Sequence, residues 1–363
     1  MMKKKNLSMI LVLALLFSLL GGCSSGEAQK EIRDEVIVVT DTVGRTVEVP
    51  IDPESICCIC PFSGPFLVMF GAGEQVTSAC NNMVRSNLLT AICPELADAI
   101  VVKSSGSVNA EAVLDLDTDL IFVDGEMYQT PEERAKLDAM DIPYVVIEFE
   151  NLSSQQDAIL VIGETLGEKD AAQEYVDWCN STYSDVQSRI NHSEHSPIRL
   201  YHAVNEATRT DYPGSICAEW IAMAGVENVS LASDLDREGN KAYTTLEQIY
   251  VWDPDMIICN EAGVDDYILS DEKWAGLSCV EKEHVYQIPV GISRMGHPTS
   301  SETPLALMWL VNLLYPTEYD IDFIQVLIDY YSKFYDYEID EEIAEAILEA
   351  DEMRAAKTSV SKE

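Results

Sequence analysis

Basic residues and long apolar runs are both scarce in this chain of 363 residues. Its 23 lysine and arginine residues stand against 63 aspartate and glutamate residues, which gives a formal net charge of −40. Nucleic-acid phosphates need clustered basic side chains, and anionic lipid attracts basic surfaces, so the composition argues against both as partners. The apolar fraction of 47% and the charged fraction of 24% are those of a globular protein long enough for two domains.

Sequence signatures of common enzyme classes are also missing. No GxxxxGK[ST] phosphate loop, HExxH motif or GxSxG motif occurs, and Gly71-Ala72-Gly73 lacks the third glycine of a dinucleotide loop. We therefore predict no catalytic residues and a role other than catalysis. The competing hypothesis of another class is a lipid-anchored metalloenzyme that uses Cys57, Cys58, Cys60 or His297.

The one long apolar run is N-terminal. Residues 9–20 are apolar except for Ser18, and Lys3-Lys4-Lys5 precedes them. Twelve residues are too few to span a bilayer, which takes about 20, but they suit the core of a signal peptide. The run ends in Leu20-Gly21-Gly22-Cys23, which resembles the lipobox of bacterial lipoproteins. The alternative is ordinary secretory cleavage beside an incidental cysteine.

Lipidation at Cys23 would give the protein a defined location. We expect residues 1–22 to be a removed signal peptide and residues 23–34 to be a short polar tether. The mature protein would then be extracytoplasmic and anchored to the cell membrane by lipid, without spanning it.

Nine cysteines follow Cys23, an odd number for a fully disulfide-bonded exported chain. A protein of this size does not need disulfides for stability, and the first three of the nine lie in an apolar run. We favour buried free thiols that act as small apolar side chains. The alternatives are disulfides or a metal site at Cys57, Cys58 and Cys60.

The pattern of residues 35–166 predicts an α/β lobe. Two alternating β-branched stretches flank Val43-Gly44 and predict a hairpin. Short apolar runs then alternate with helical segments, which favours a mainly parallel sheet. The predicted strands are Ser55–Cys60, Val76–Cys80, Ala99–Val102, Leu120–Val123 and Tyr144–Ile147, and the predicted helices are Pro65–Phe70, Glu111–Leu116 and Pro131–Met140.

One long amphipathic helix separates this lobe from a second α/β run. Apolar residues recur at three- and four-residue steps from Glu168 to Ile190, with no glycine or proline between them. We assign residues 167–192 to this connecting helix, residues 193–316 to the second lobe, and residues 317–363 to two C-terminal helices, the second of them acidic. In the second lobe the predicted strands are Ile198–Val204, Met256–Cys259 and Val285–Ile288, and the predicted helices are Ser215–Ala224, Leu246–Trp252 and Pro304–Leu314.

The two predicted lobes contain matching segments. In residues 110–121 and 246–257 a glutamate, Glu111 or Glu247, is followed eight residues later by an aspartate, and two apolar residues then enter a strand. The match indicates two lobes of similar construction, although short helix–turn–strand units often look alike.

These features together resemble the helical-backbone class of substrate-binding proteins of ABC importers, which carry iron–siderophore, haem, cobalamin and related metal complexes. The resemblance runs from about Val36 to Tyr315. It implies two Rossmann-like lobes joined by a single long helix, with a ligand cleft between them. The motifs that carry it are Thr40-Asp41…Gly44-Arg45-Thr46-Val47…Pro50, the paired Glu…Asp segments, Gly225-Val226-Glu227-Asn228-Val229, Trp252-Asp253-Pro254-Asp255-Met256-Ile257-Ile258 and His284-Val285-Tyr286-Gln287-Ile288-Pro289.

The resemblance also implies partners. An extracytoplasmic receptor of this class delivers its ligand to an ABC permease and its ATPase, and a glutamate on each lobe pairs with arginines of the permease. Glu111 and Glu247 occupy the matching positions, and their alternative role is as acids favoured at helix N-termini. We expect a monomer with no cofactor or metal ion of its own.

Thr118-Asp119 and Gly225-Val226 depart from the usual motifs of the class.

Ligands of open α/β sheets bind at loops beyond the carboxyl ends of the strands. Arginine and lysine side chains in these loops favour an anionic or chelated ligand, because the guanidinium fork suits carboxylate and phosphate oxygens. Aromatic rings there stack on planar groups, and His297 is a candidate metal ligand. The candidate residues are Phe62, Ser63, Arg85, Lys103, Ser105, Tyr128, Asn205, Arg209, Tyr212, Tyr243, Asn260, Arg294 and His297.

The predicted cargo is a small-molecule metal complex. We place a ferric siderophore first, with haem, a corrinoid or a metal oxyanion as alternatives in the same fold. For each candidate side chain the alternative is an ordinary structural role, in a surface ion pair or in core packing.

Overall fold

The computed structural model describes residues 35–190, 196–351 and 353. The predicted signal peptide, the tether and Cys23 lie outside these residues. Within the described ranges, no helix is both long and apolar enough to cross a membrane.

The first described residues form the predicted hairpin. Strands β1 (Val36–Thr40) and β2 (Thr46–Pro50) pair antiparallel. Asp41 stabilises the turn, since its carboxylate accepts the backbone N–H of Arg45 at 2.8 Å. Gly44 has a φ of +80°, a conformation that glycine adopts without steric cost. The hairpin prediction is confirmed.

The first lobe is built on a six-stranded sheet. Its order is β6-β5-β4-β3-β7-β8, and every pair is parallel except β5–β6. The strands are β3 (Ile56–Cys58), β4 (Val76–Cys80), β5 (Ile100–Ser104), β6 (Ser107–Val108), β7 (Leu120–Asp124) and β8 (Tyr144–Ile147). The helices are α1 (Ser63–Met69), α2 (Asn81–Val84), α3 (Asn87–Ile92), α4 (Ala110–Leu114), α5 (Gly125–Gln129) and α6 (Pro131–Ala139), with a 3₁₀ turn at Pro94–Asp98.

Two antiparallel helices follow this sheet. The predicted long helix is α8 (Lys169–Arg189), and α7 (Leu152–Leu166) precedes it and was not predicted. A capping box at Asn151 begins α7, and Gly167 in the left-handed conformation ends it. Gly163 of α7 lies directly against the Ala172 methyl group, so the two helices pack too closely for a side chain at that position.

The second lobe contains a four-stranded parallel sheet and a small antiparallel sheet that was not predicted. The orders are β11-β9-β14-β15 and β10-β13-β12. The strands are β9 (Arg199–Ala203), β10 (Arg209–Thr210), β11 (Glu227–Asn228), β12 (Asp236–Glu238), β13 (Lys241–Tyr243), β14 (Met256–Cys259) and β15 (Val285–Gln287). The helices are α9 (Ile216–Met223), α10 (Leu246–Trp252), α11 (Val264–Ser270), α12 (Ser278–Glu281) and α13 (Thr303–Leu314), with a 3₁₀ turn at Val229–Ala232.

The C-terminal segment forms two helices, as predicted: α14 (Phe323–Tyr335) and α15 (Glu341–Leu348). Acidic side chains such as Glu341 and Glu342 face solvent, while Ala344 and Ile347 are buried. This segment reaches both lobes, because the N–H of Val290 donates to the Ile347 carbonyl at 3.0 Å and the N–H of Asn87 donates to the Met353 carbonyl at 3.0 Å.

One apolar core joins the two lobes to the helices between them. It contains Phe66 of the first lobe, Tyr175 of α8, Trp220 of the second lobe and Phe334 of α14. The ring centroid of Tyr175 lies 5.3 Å from that of Phe66 and 5.2 Å from that of Phe334. Smaller clusters cover the outer face of each sheet. The two parallel sheets are therefore buried on both faces, as such sheets require.

Candidate ligand site between the lobes

A small cavity lies where the two lobes meet, with a volume of about 30 Å³. A cavity of about 10–15 Å³ is enough to hold one water molecule, so this one has room for very few. Its walls come from the loops and short helices that follow β3 and β4 and from the loop that follows β15. They are Pro61, Pro65, Asn82, Met83 and Leu89 on the first lobe, and Ile292, Ser293, Arg294, His297 and Thr299 on the second.

Hydrogen bonds between the lobes flank this cavity. Ser86, at the start of α3, donates from Oγ to the carbonyl of Ile292 at 2.6 Å. Gln155 of α7 donates from Nε2 to the carbonyl of Pro298 at 2.9 Å. Both acceptors belong to the segment that carries Arg294, so contacts from the first lobe and from α7 hold the second-lobe wall of the cavity in place.

A buried carboxylate shapes the same wall from behind. Glu302 accepts hydrogen bonds from the backbone N–H of Ile292 at 3.0 Å and of Ser293 at 2.8 Å, from the Ser293 hydroxyl, and from the Tyr331 hydroxyl of α14. Burial raises the pKa of Glu302, although these donors oppose the shift. A side chain at Gly291 would collide with both Tyr331 and Glu302. The loop conformation thus depends on Glu302.

Arg294 is the cation in the cavity wall. Its Nη1 donates to the Glu261 carboxylate at 2.6 Å and to the Asn205 amide oxygen. The backbone N–H of Asn205 donates in turn to the Asn260 amide oxygen at 2.8 Å. Burial lowers the pKa of Arg294, and the Glu261 charge opposes that shift. The structure therefore brings together three predicted residues, Asn205, Asn260 and Arg294.

Two further donors of the second lobe are buried without partners. Among the described residues, neither Nε of Arg209 nor Nδ2 of Asn260 has a hydrogen-bond partner. Arg209 is close enough to Arg294 for its charge to oppose protonation of Arg294. An unpaired buried donor costs about 1–3 kcal/mol, a cost that a bound acceptor removes. The second lobe thus holds two unpaired buried N–H donors near Arg294 and Asn205.

His297 also lies in the cavity wall, and its ring is engaged locally. Its Nδ1 lies 2.9 Å from the Thr299 hydroxyl and accepts the Thr299 backbone N–H at 3.3 Å. These contacts fix the ring orientation within the loop.

Three other predicted residues make contacts within the first lobe. The Phe62 ring is buried in the core, with centroids 5.0 Å from Phe66 and 4.5 Å from Phe149. Ser63 begins α1 and is buried. The Lys103 ammonium pairs with Asp124 and donates to the Ile59 carbonyl at 3.1 Å. In this structure none of them lines the cavity.

The remaining predicted residues do not line the cavity either. Ser105 is exposed in a tight turn, and Arg85 is half-buried after α2. Tyr128 contacts two guanidinium groups and Tyr212 contacts one, that of Arg237, 3.9 Å from the ring centroid. Tyr243 of β13 pairs with Arg209 of β10.

A second polar cluster lies beneath the site and offers metal-binding atom types. Ligand atoms of His202, Asp211 and Cys217 lie within 4.8 Å of one another, and all three residues are buried. His202 Nδ1 lies 3.0 Å from the Asp211 carboxylate, which also accepts from Asn228. Burial raises the pKa of the Cys217 thiol well above its ordinary value. His202 and Asp211 thus pair with each other inside the fold, and His202 is fully buried.

The cysteines match the favoured prediction. All nine described thiols are free and buried: Cys57, Cys58, Cys60, Cys80, Cys93, Cys179, Cys217, Cys259 and Cys279. Burial raises the pKa of Cys57 and of Cys60 to about 12, so both remain protonated at neutral pH.

The two candidate docking acids occupy equivalent places. Glu111 and Glu247 are exposed in the first turns of α4 and α10, after the capping residues Asn109 and Thr245. Backbone N–H groups at the helix start and the Thr245 hydroxyl lower the pKa of Glu247. Both carboxylates therefore point into solvent at the start of a helix, where a partner can reach them.

Two α/β lobes on a helical backbone, with a cavity at their junction, define a class III substrate-binding protein of ABC importers. The chain belongs to the periplasmic binding protein family, whose model matches residues 76–290. The predicted family and fold are confirmed, and the protein is the substrate-binding component of an ABC importer.

Individual relatives are distant. The chain is 24% identical over 324 residues to the molybdate-binding protein MolA of Haemophilus influenzae, covering 82% of this chain and 90% of MolA. It is 22% identical to the putative ABC transporter substrate-binding lipoprotein YhfQ of Bacillus subtilis, covering 78% of this chain and 90% of YhfQ. The structure of MolA bound to molybdate superimposes with a TM-score of 0.75 at 23% identity, covering 84% of this chain and 99% of MolA.

The cavity also contains residues that sequence reasoning did not select. Met83, Ser293 and Thr299 line it, and Glu261 holds Arg294. Glu261 and Ser293 lie in loops after predicted strands, a signal that was available. Glu302 had no such signal, because a glutamate at the start of a helix is ordinarily exposed.

Proposed function

We propose that this protein captures a compact metal oxyanion between its lobes and delivers it to the permease of its ABC importer. The observation that carries the proposal is the position of Arg294. Asn205 and Glu261 hold it in the wall of a cavity of about 30 Å³, beside the unpaired donors of Arg209 and Asn260. Such a site offers charge and directed N–H groups, and it has little volume.

The chemistry of the donors suits an oxyanion. A guanidinium edge donates two parallel hydrogen bonds to two oxygens of one ligand, and bonds to charged groups are the stronger kind. The Asn260 amide and Nε of Arg209, both without a partner among the described residues, add N–H donors near Arg294. Exclusion of water from so small a cavity strengthens each of these interactions.

The small volume of the cavity argues against a ferric siderophore, the cargo that we placed first from sequence. Pockets for drug-sized ligands occupy about 300–1,000 Å³, about ten times the present cavity or more. A siderophore, haem or corrinoid requires the lobes to move far apart, whereas a tetrahedral oxyanion requires only a small opening. The similarity to a molybdate-binding protein supports the smaller cargo.

Handover depends on the opposite charges of receptor and permease. We propose that Glu111 and Glu247, one on each lobe, pair with basic residues of the permease, so that the receptor docks across both lobes. We further propose that the mature chain is a monomer, held at the outer surface of the cell membrane by lipid on Cys23.

Calorimetric titration of the mature chain tests the cargo. We expect one molybdate or tungstate ion to bind per chain, with a Kd of about 1 μM or below. A ferric catecholate, haemin and cobalamin serve as competitors. One-to-one binding of any of these three, with no oxyanion binding, would contradict the proposal. Recovery of the oxyanion unchanged distinguishes a receptor from the metalloenzyme alternative.

A matched pair of arginine variants locates the site. Arg294→Gln removes the charge in the cavity wall and should weaken oxyanion binding by about 10–100-fold, the value of one or two charge-assisted bonds. Arg199→Gln is the control. Arg199 begins β9, at the end of the strand away from Asn205, and it donates to the Asp253 carbonyl. Equal affinities for the two variants would place the site elsewhere.

A further inference from the structure

Glu261 engages one corner of the Arg294 guanidinium and leaves the rest of it unused. Both hydrogen bonds of Arg294 come from Nη1, one to Glu261 and one to Asn205. Within the described residues, Nε and Nη2 of Arg294 make no hydrogen bond. The Arg294 side chain is 12% exposed and that of Glu261 is 28% exposed. The guanidinium is thus held by one nitrogen while a second, two-donor edge remains available.

The same contact changes the charge of the site. Arg209 and Arg294 are close enough to influence each other electrostatically, and Glu261 is the carboxylate that pairs with Arg294. Asn205, the other partner of Nη1, is neutral. The Glu261 carboxylate therefore offsets the positive charge of Arg294, the arginine of this pair that lines the cavity.

We infer that Glu261 determines the charge selectivity of the site, an inference that rests on the proposed oxyanion function. Glu261 has two separable effects on Arg294. Its carboxylate oxygen accepts from Nη1 and so orients the Nε–Nη2 edge. Its negative charge also opposes an anion near Arg294, and it opposes a dianion twice as strongly as a monoanion of the same shape.

Two substitutions separate these effects. Glu261→Gln keeps an oxygen acceptor for Nη1 and removes the charge. Glu261→Ala removes both the acceptor and the charge. The exposed Glu272, on the same lobe, provides the control Glu272→Gln, which changes the net charge equally without touching Arg294.

The probes are molybdate and perrhenate, two tetrahedral oxyanions of similar size that differ by one unit of charge. Calorimetry of the full mature chain should show that Glu261→Gln binds molybdate about tenfold tighter than wild type and perrhenate about threefold tighter. Glu261→Ala should bind both anions more weakly than Glu261→Gln, because Arg294 is no longer oriented. Glu272→Gln should leave the molybdate-to-perrhenate ratio unchanged.

Other results overturn the inference in distinguishable ways. If wild type binds molybdate and Glu261→Gln binds it equally or less tightly, the role of Glu261 is wrong and the proposed function stands. Equal affinities for Glu261→Gln and Glu261→Ala would exclude the orienting effect. If neither wild type nor Glu261→Gln binds either anion, both the inference and the oxyanion function are wrong.

Discussion

Tyr331 of the C-terminal helix α14 donates a hydrogen bond to the buried carboxylate of Glu302, which also accepts the backbone N–H groups of Ile292 and Ser293. Through this contact a segment beyond the two lobes supports the loop that carries Arg294. The C-terminal helices thus help to build the candidate ligand site.

Removal of the Tyr331 hydroxyl tests this support. Tyr331→Phe should lower the free energy of unfolding by about 1–3 kcal/mol, because the buried Glu302 carboxyl group loses a hydrogen-bond partner. Urea unfolding measures the change. Tyr267→Phe is the control, since Tyr267 is 48% exposed, and it should change stability little. Equal effects of the two variants would show that the Tyr331 hydroxyl contributes no more to the free energy of unfolding than an exposed tyrosine hydroxyl does.

The loop that carries Arg294 also depends on the absence of a side chain at position 296. Gly296 has a φ of +72°, and a Cβ there would lie 2.6 Å from the Trp220 ring, whose Nε1 donates to the Gly296 carbonyl at 2.9 Å. Gly296→Ala should cost about 2–4 kcal/mol, from backbone strain plus the collision. Gly106→Ala has a similar φ in open space and should cost only the strain, about 1–2 kcal/mol. A thermal unfolding series that ranks Gly106→Ala as the more harmful change would contradict this packing.

The lowered pKa of Glu133 predicts that the stability of the protein depends on pH. Burial raises its pKa, but bonds from the Lys136 ammonium, the Val108 backbone N–H and Ser107 outweigh burial and lower it overall. A lowered folded-state pKa stabilises the fold above the unfolded value of about 4.3, and this stability is lost as the pH falls through the folded-state pKa. Glu133→Gln should therefore be less stable than wild type at pH 7, and the difference should shrink below about pH 4.

The measurement is urea unfolding at several pH values, with Glu132→Gln as the exposed neighbouring control. The control should follow the wild-type profile throughout. A Glu133→Gln difference that does not change with pH would show that lost packing, rather than the charge, is responsible.

Charge reversal tests the docking surface. Glu111→Arg combined with Glu247→Arg should abolish uptake in cells while oxyanion affinity stays unchanged, because both residues are exposed and neither lines the cavity between the lobes. Glu342→Arg on α15 is the control for a single reversed charge on an exposed helix and should preserve uptake. A loss of affinity in the double variant would remove the docking role.

Local sequence patterns determined most of the secondary structure. The strands Val76–Cys80, Tyr144–Ile147 and Met256–Cys259 and the helix Leu246–Trp252 have the predicted bounds, because apolar runs and capping residues act over a few neighbours. The two-residue strand β10 has too few residues for any periodicity, and so its antiparallel sheet was missed. Helix α7 was missed although Asn151 supplied a capping signal. The domain boundaries drawn from sequence stay a prediction.

The sequence by itself determined the family, the α/β alternation, the long helix and the loops that carry the candidate site residues, since each depends on residue type and spacing along the chain. The tertiary structure decided which groups share a site. Arg294 meets Asn205 and Glu261 because the neighbouring parallel strands β9 and β14 end side by side, whereas Lys103 pairs with Asp124 although two strands lie between β5 and β7. The size of the cavity, and with it the choice between a compact anion and a large chelate, depends on how two separately formed lobes pack together, which no local pattern records.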